Sequence, residues 1–155
     1  MHTFTDLPEP ITAAINTILS RSSPYELSSA AKKIHQRYME REKGNSGAFV
    51  QSPIDMQAYV ALRSPATYAQ ITGAFSQIQE RIPEWKPKTM LDLGCGPGTG
   101  TWSAKTVWPS ISTVECVDKE NYFLSLGEEI LSKISSDVLS NWKKMSIENL
   151  NYKKE

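Results

Sequence analysis

One segment constrains this chain more than any other. Lys88-Thr89-Met90-Leu91-Asp92-Leu93 is a short apolar run, and Gly94-Cys95-Gly96-Pro97-Gly98-Thr99-Gly100 follows it at once. Such a run closed by glycines suits a buried parallel strand. Glycines there let the backbone come close to a ligand and adopt dihedrals closed to other residues. A helical pattern through Trp102, Ala104 and Trp108 comes next, then a β-rich run from Ile111 to Val117. A second helical pattern spans Asn121 to Ile134, with Phe123, Leu124, Leu126, Ile130 and Leu131 apolar. Strand, glycine loop, helix, strand, helix is the opening of a right-handed βαβ fold. A third strand within Trp142–Ile147 is weakly signalled.

In open α/β sheets ligands bind outside the carboxyl ends of the strands, where this loop and the residue ending the second strand lie. The helix start after the loop offers N–H groups to an anionic group. The nicotinamide fingerprint G-x-G-x-x-G fails, because its third glycine falls on Thr99 from Gly94 or on Thr101 from Gly96. The Gly-Lys-Ser/Thr of a phosphate-cradling loop is absent as well. Asp92-Leu93-Gly94-Cys95-Gly96-Pro97-Gly98 instead resembles the first motif of the Rossmann-like S-adenosylmethionine-dependent methyltransferases. Asp118 stands 20 residues after Gly98, ending the second strand, where a carboxylate can accept hydrogen bonds from both ribose hydroxyls.

That resemblance implies S-adenosylmethionine as cofactor, with Asp118 on the ribose, Asp92 near the methionine amine, and Gly94, Cys95, Gly96, Pro97, Gly98 and Thr99 along the ligand. Glu115 competes with Asp118, but alternation within the strand favours Asp118. Cys95 reads as a small loop residue, since both histidines, His2 and His35, are remote from it, and Cys116 as a buried strand residue. No residue stands out as a catalytic base, and no metal-ligand spacing occurs.

Residues 8–82 read as helices. Pro8 and Pro10 suit a first turn, followed by Ile11, Ala14, Ile15, Ile18 and Leu19 at helical spacing. Ser22-Ser23-Pro24 is a second start signal, continued by Leu27, Ala30, Ala31, Ile34 and Tyr38. Glu42 to Gly47 reads as a loop. A further pattern runs from Asp55 through Tyr59, Leu62 and Tyr68 to Phe75, Ile78 and Ile82, and Ser64-Pro65 should make it two helices or one kinked helix. The pattern changes at the connector Pro83-Glu84-Trp85-Lys86-Pro87. We therefore expect a helical region over 1–86 and a partial cofactor-binding domain over 87–155.

Within the helical region, Asp55 to Tyr68 carries Ala58-Tyr59 and Arg63-Ser64-Pro65-Ala66-Thr67-Tyr68, about 20 residues before the glycine loop. This resembles the small-ribosomal-subunit methyltransferase-like proteins, mitochondrial and bacterial, known as predicted ribosomal-RNA methylases. The likeness covers about residues 24–150. A plain packing role for Arg63, Thr67 and Tyr68 remains open beside it. The resemblance implies an α/β fold in which a helical N-terminal region precedes a methyltransferase-type sheet, association with the small ribosomal subunit, and a later cysteine-rich iron–sulfur site. It also implies a sheet of seven strands, of which 155 residues leave room for about three. No Asn/Asp-Pro-Pro-aromatic motif or later cysteines occur. The expectation is an N-terminal portion whose catalytic half is missing and whose first strand has an unpaired edge, a route to homodimerisation.

Charge and composition add exclusions. With 17 Lys+Arg against 17 Asp+Glu, no overall field draws the molecule to nucleic acid or membrane. Lys32, Lys33, Arg37, Arg41 and Lys43 form the one basic cluster, diluted by Glu40 and Glu42, and read as a solvated helix face. Two cysteines make neither a zinc pattern nor a disulfide framework. Without a signal layout or a membrane-length apolar run, a cytoplasmic soluble protein is expected. The leading expectation is a methyltransferase-like protein acting on ribosomal RNA or the small subunit. The alternatives are a non-catalytic ribosome-assembly or RNA-binding module, and an inactive gene fragment.

Overall fold

The computed structural model describes residues 7–44 and 50–149, with the backbone alone at positions 41 and 42. Three helices come first: α1 (Glu9–Leu19), α2 (Pro24–Glu42) and α3 (Pro53–Arg81). Then β1 (Thr89–Leu93), α4 (Thr99–Val107), β2 (Thr113–Asp118), α5 (Asn121–Ile134) and β3 (Leu139–Lys144) alternate, and a 3₁₀ turn follows at Ile147–Asn149. Of the expected Glu42–Gly47 loop, residues 45–47 lie outside the described residues.

Two of the helices, α2 and α3, start where the sequence supplies a side-chain cap. The Glu26 carboxylate accepts the Ser23 N–H at 2.8 Å while Ser23 Oγ accepts the Glu26 N–H at 3.3 Å, a reciprocal box opening α2. Ser52 Oγ accepts the Asp55 N–H at 3.2 Å and opens α3. The break expected at Pro65 does not occur, because α3 runs unbroken through it. Proline removes one donor, but Pro65 and Ala61 are both exposed, so the carbonyl left over faces water. Buried Met56, Ala58 and Val60 before it, and Tyr68 and Thr72 after it, hold both halves against the rest of the molecule.

The three strands form one parallel sheet in the order β1-β2-β3, with Leu91 opposite Glu115 and Glu115 opposite Asn141. β3 lies earlier than the expected Trp142–Ile147: it begins at Leu139, and Ile147 belongs to the 3₁₀ turn. Leu-Ser-Asn-Trp-Lys-Lys has no β-rich run, and Leu139 itself is 75% exposed. Pairing with β2 makes it a strand.

Met90, Asp92, Val114, Cys116 and Trp142 share the sheet face under α4 and α5. On the opposite face Leu91 and Leu93 are exposed, and Lys143 pairs with Glu115 at 2.7 Å. One hydrophobic cluster joins Ile11, Ile15 and Ile18 of α1 and Tyr68 of α3 to Trp102, Val114, Leu126 and Ile130. It spans the change of pattern at residue 86, where Trp85 folds back edge-on to Trp108 with centroids 4.9 Å apart. Among the described residues no helix is long and apolar enough to cross a membrane.

Candidate functional site at the glycine loop

Gly94, Gly96 and Gly98 have φ of +69°, +54° and +86°, values that favour glycine at each position. The turn is anchored at its start by the Gly94 and Cys95 N–H groups, which both donate to the Val117 carbonyl at 2.8 and 3.1 Å. Gly98 N–H donates to the Cys95 carbonyl at 2.9 Å and closes it. Space, however, differs among the three. A Cβ on Gly96 would meet nothing within 4 Å, and one on Gly94 only Ile147 Cδ1 at 3.5 Å. A Cβ on Gly98 would come within 2.8 Å of the Trp142 ring. Gly96 thus leaves an open cradle, whereas Gly98 makes room for an indole beneath the loop.

Gly98 caps α4 without a side chain to offer. Asp92, at the end of β1, does that work across the turn: its Oδ2 accepts the Thr101 hydroxyl at 2.9 Å, and the Thr101 N–H also bonds to the carboxylate. The Gly100 Cβ position lies 3.1 Å from the same oxygen, so a side chain there would press on it. Burial pushes the Asp92 carboxyl above its ordinary range and nearby Asp118 adds to the rise, while the Thr101 hydrogen bonds pull the other way.

Asp118 ends β2 and ties two segments together. Its Oδ2 accepts the Gly96 N–H at 2.9 Å, and its Oδ1 accepts the Glu120 N–H at 2.9 Å at the start of α5. Glu115, the competing carboxylate, is held by Lys143 on the other sheet face.

Cys95, Pro97, Gly98 and Thr99 are buried, while Gly94 is exposed and Gly96, Asp92 and Asp118 are half-buried. Cys95 Sγ lies 3.4 Å from the Gly96 carbonyl oxygen. Contact with Cys116, then burial, then the Asp92 and Asp118 charges push its thiol far above the ordinary range, which makes it a poor nucleophile. Cys116, buried on β2, lies 3.4 Å from Thr101 Oγ1. Among the described residues no three His, Cys, Asp or Glu side chains gather as a metal site.

A cavity of about 270 Å³ opens beside the loop, lined by Gly94, Asp118, Lys119, Met145, Ser146, Ile147 and Glu148. The structure therefore brings Gly94 and Asp118 to one cleft, ties the neighbouring Gly96 to it through the Asp118 carboxylate, and turns Asp92, Cys95 and Thr99 inward as backing. Sequence reasoning missed the wall after β3, because Met145, Ser146, Ile147 and Glu148 follow the strand without any motif. It also missed the support beneath. Trp142 packs against Gly98 and against Gly127 of α5, where an added Cβ would come within 2.5 Å of the ring. An isolated glycine within an apolar helical pattern was the available signal. The arrangement can accept a diol at Asp118 and admit a ligand over Gly96.

The family described as "Mitochondrial small ribosomal subunit Rsm22" matches residues 53–155. The human "Ribosome assembly protein METTL17, mitochondrial" is 36% identical over 74 residues, 47% of this chain, and the chain spans 16% of that relative's length. Among solved structures, PH1948 from Pyrococcus horikoshii, assigned as an RNA methyltransferase, aligns with a TM-score of 0.42 at 15% identity. It covers 54% of this chain and 41% of its own, a likeness too distant to transfer any property.

Proposed function

The chain belongs to the mitochondrial small ribosomal subunit Rsm22 family, and we propose that it carries the cofactor side of an S-adenosylmethionine site and serves the small ribosomal subunit or its RNA. The observation that carries this reading is the open cradle at Gly96, left-handed and unobstructed, with the Asp118 carboxylate 2.9 Å from its N–H. In this proposal Asp118 accepts the ribose hydroxyls with lone pairs not used by its two backbone donors. Gly94 and Gly96 let the ligand approach the loop, and Asp92 with Thr101 holds that loop and the start of α4 in place, with Cys95, Pro97, Gly98 and Thr99 as its inner wall. Bound S-adenosylmethionine would supply an electrophilic methyl group; the chain's own residues orient the ligand and exclude water behind it.

Isothermal titration with S-adenosylmethionine tests the reading. We expect measurable binding, at least about tenfold weaker in Asp118→Ala, where a charge-assisted acceptor is lost, and abolished in Gly96→Val. No heat from the parent protein, or an unchanged affinity in Asp118→Ala, would overturn it.

A second reading is a non-catalytic assembly module, in keeping with the relative named for ribosome assembly. The bonds from Asp118 to Gly96 and Glu120 favour it, because the loop is held by its own backbone without a ligand. Co-sedimentation with small ribosomal subunits by a protein that does not bind S-adenosylmethionine would select this reading. We also propose self-association through the β1 edge, which pairs only with β2 among the described strands.

A further inference from the structure

Within Arg63–Tyr68, Ser64 and Tyr68 have a plain packing role: both are buried, and the Tyr68 hydroxyl lies 3.0 Å from Thr106 Oγ1. Arg63 and Tyr59, one turn earlier, point elsewhere. The Arg63 guanidinium lies over the Tyr38 ring of α2, 5.6 Å from its centroid, and both side chains are exposed, Tyr38 by 43%. Tyr59 is half-buried and packs its ring 5.0 Å from Phe123, in the first turn of α5, just past Asp118. The Tyr59 ring thus rests on the start of α5, the helix that follows Asp118 in the chain.

We propose that Tyr38, Arg63 and Tyr59 form a stacking platform for single-stranded RNA that leads along α2 and α3 to the Asp118 end of the cleft. This rests on the RNA-directed part of the function proposed above and adds the surface that engages the RNA. Aromatic rings interleaved with a guanidinium plane suit unpaired bases, whose faces stack on both groups. Arg63 supplies the cation for a phosphate, and Lys119, lining the cleft, supplies the next one. Because 17 basic residues balance 17 acidic ones, affinity comes from stacking more than from long-range charge.

The test uses an unstructured RNA of about ten nucleotides carrying one 2-aminopurine, titrated with the full chain. We expect quenching of the 2-aminopurine on binding. Tyr38→Ala should weaken binding at least about fivefold, the loss of one stacked base. Tyr38→Phe should restore it, and Arg63→Lys, which keeps the charge but not the plane, should weaken it too. The slope of log affinity against log salt should stay shallow, equivalent to about two phosphates. Equal affinity in parent and Tyr38→Ala, or binding without quenching, would overturn the platform, as would an Arg63→Lys variant that binds like the parent. Circular dichroism of each variant checks the fold, and Arg63→Lys, a surface change within a helix, keeps the test open should Tyr38→Ala unfold. S-adenosylmethionine titration of the same variants separates the two proposals: the platform variants should keep cofactor affinity, and loss of cofactor binding in the parent alone leaves the platform standing.

Discussion

Single residues of the glycine motif divide by what their missing Cβ makes room for. Gly96 and Gly98 share a left-handed backbone, so alanine at either costs about 1–2 kcal/mol of backbone strain. Gly98→Ala must also displace the Trp142 ring, 2.8 Å from the new carbon. We expect it to lose about 2–4 kcal/mol in urea unfolding, adding overpacking to strain. Gly96→Ala should lose only the strain, with a larger fall in S-adenosylmethionine affinity. Equal losses of stability in the two variants would show that Trp142 yields freely. Asp92 makes a different prediction. Its carboxyl is raised chiefly by burial, so the folded state binds the proton more tightly than the unfolded chain. Its contribution to stability therefore falls as pH rises from the ordinary carboxylate range through the raised value. Asp92→Asn, measured by unfolding across that window, should flatten this part of the pH dependence. An unaltered pH profile would assign the slope to other groups.

At the scale of elements, packing overrides local preference in two places. α3 continues through Pro65 because it is buried on both sides of the proline. Pro65→Ala returns a donor to the Ala61 carbonyl and should raise stability by up to about 3 kcal/mol, read as a higher melting temperature. Tyr68→Phe removes the hydroxyl that bonds Thr106 between α3 and α4 and should cost about 1 kcal/mol. β3 is the second place, a strand imposed by its neighbour, with Trp142 as its inward anchor. The path into it is clamped by Lys105 of α4, whose Nζ reaches the Pro109 and Ile111 carbonyls and Asp137 Oδ2 within 3.0 Å. Hydrogen bonds from Lys105, then from Ser135, hold the Asp137 carboxyl down to about 2. Its support is therefore complete above the ordinary carboxylate range and fades as pH falls towards that value. Asp137→Asn should reduce acid sensitivity in this window; because the group lies in water, added salt should shrink the difference.

Over the whole molecule, a hydrophobic cluster joins the helical region to the sheet, while one sheet face keeps Leu91 and Leu93 exposed beside the outer edge of β1. If that edge mediates self-association, sedimentation velocity should show a concentration-dependent dimer, and Leu91→Lys should suppress it. A monomer at all concentrations would remove the edge as an interface. Much of this architecture was legible beforehand. Helical spacing located α1 through Ile11, Ala14, Ile15 and Ile18, and the alternating glycines located the turn between β1 and α4, because local dihedral and burial demands write themselves into residue type. The sequence by itself therefore determined the order of elements, the left-handed turn and the acidic residue ending β2. Only the tertiary structure decided which glycines face open space, that Asp92 turns inward to α4 while Asp118 latches the loop, and where β3 begins. Those depend on residues distant in the chain, Trp142 and Gly127 among them, and contacts between such residues leave no periodicity along the sequence.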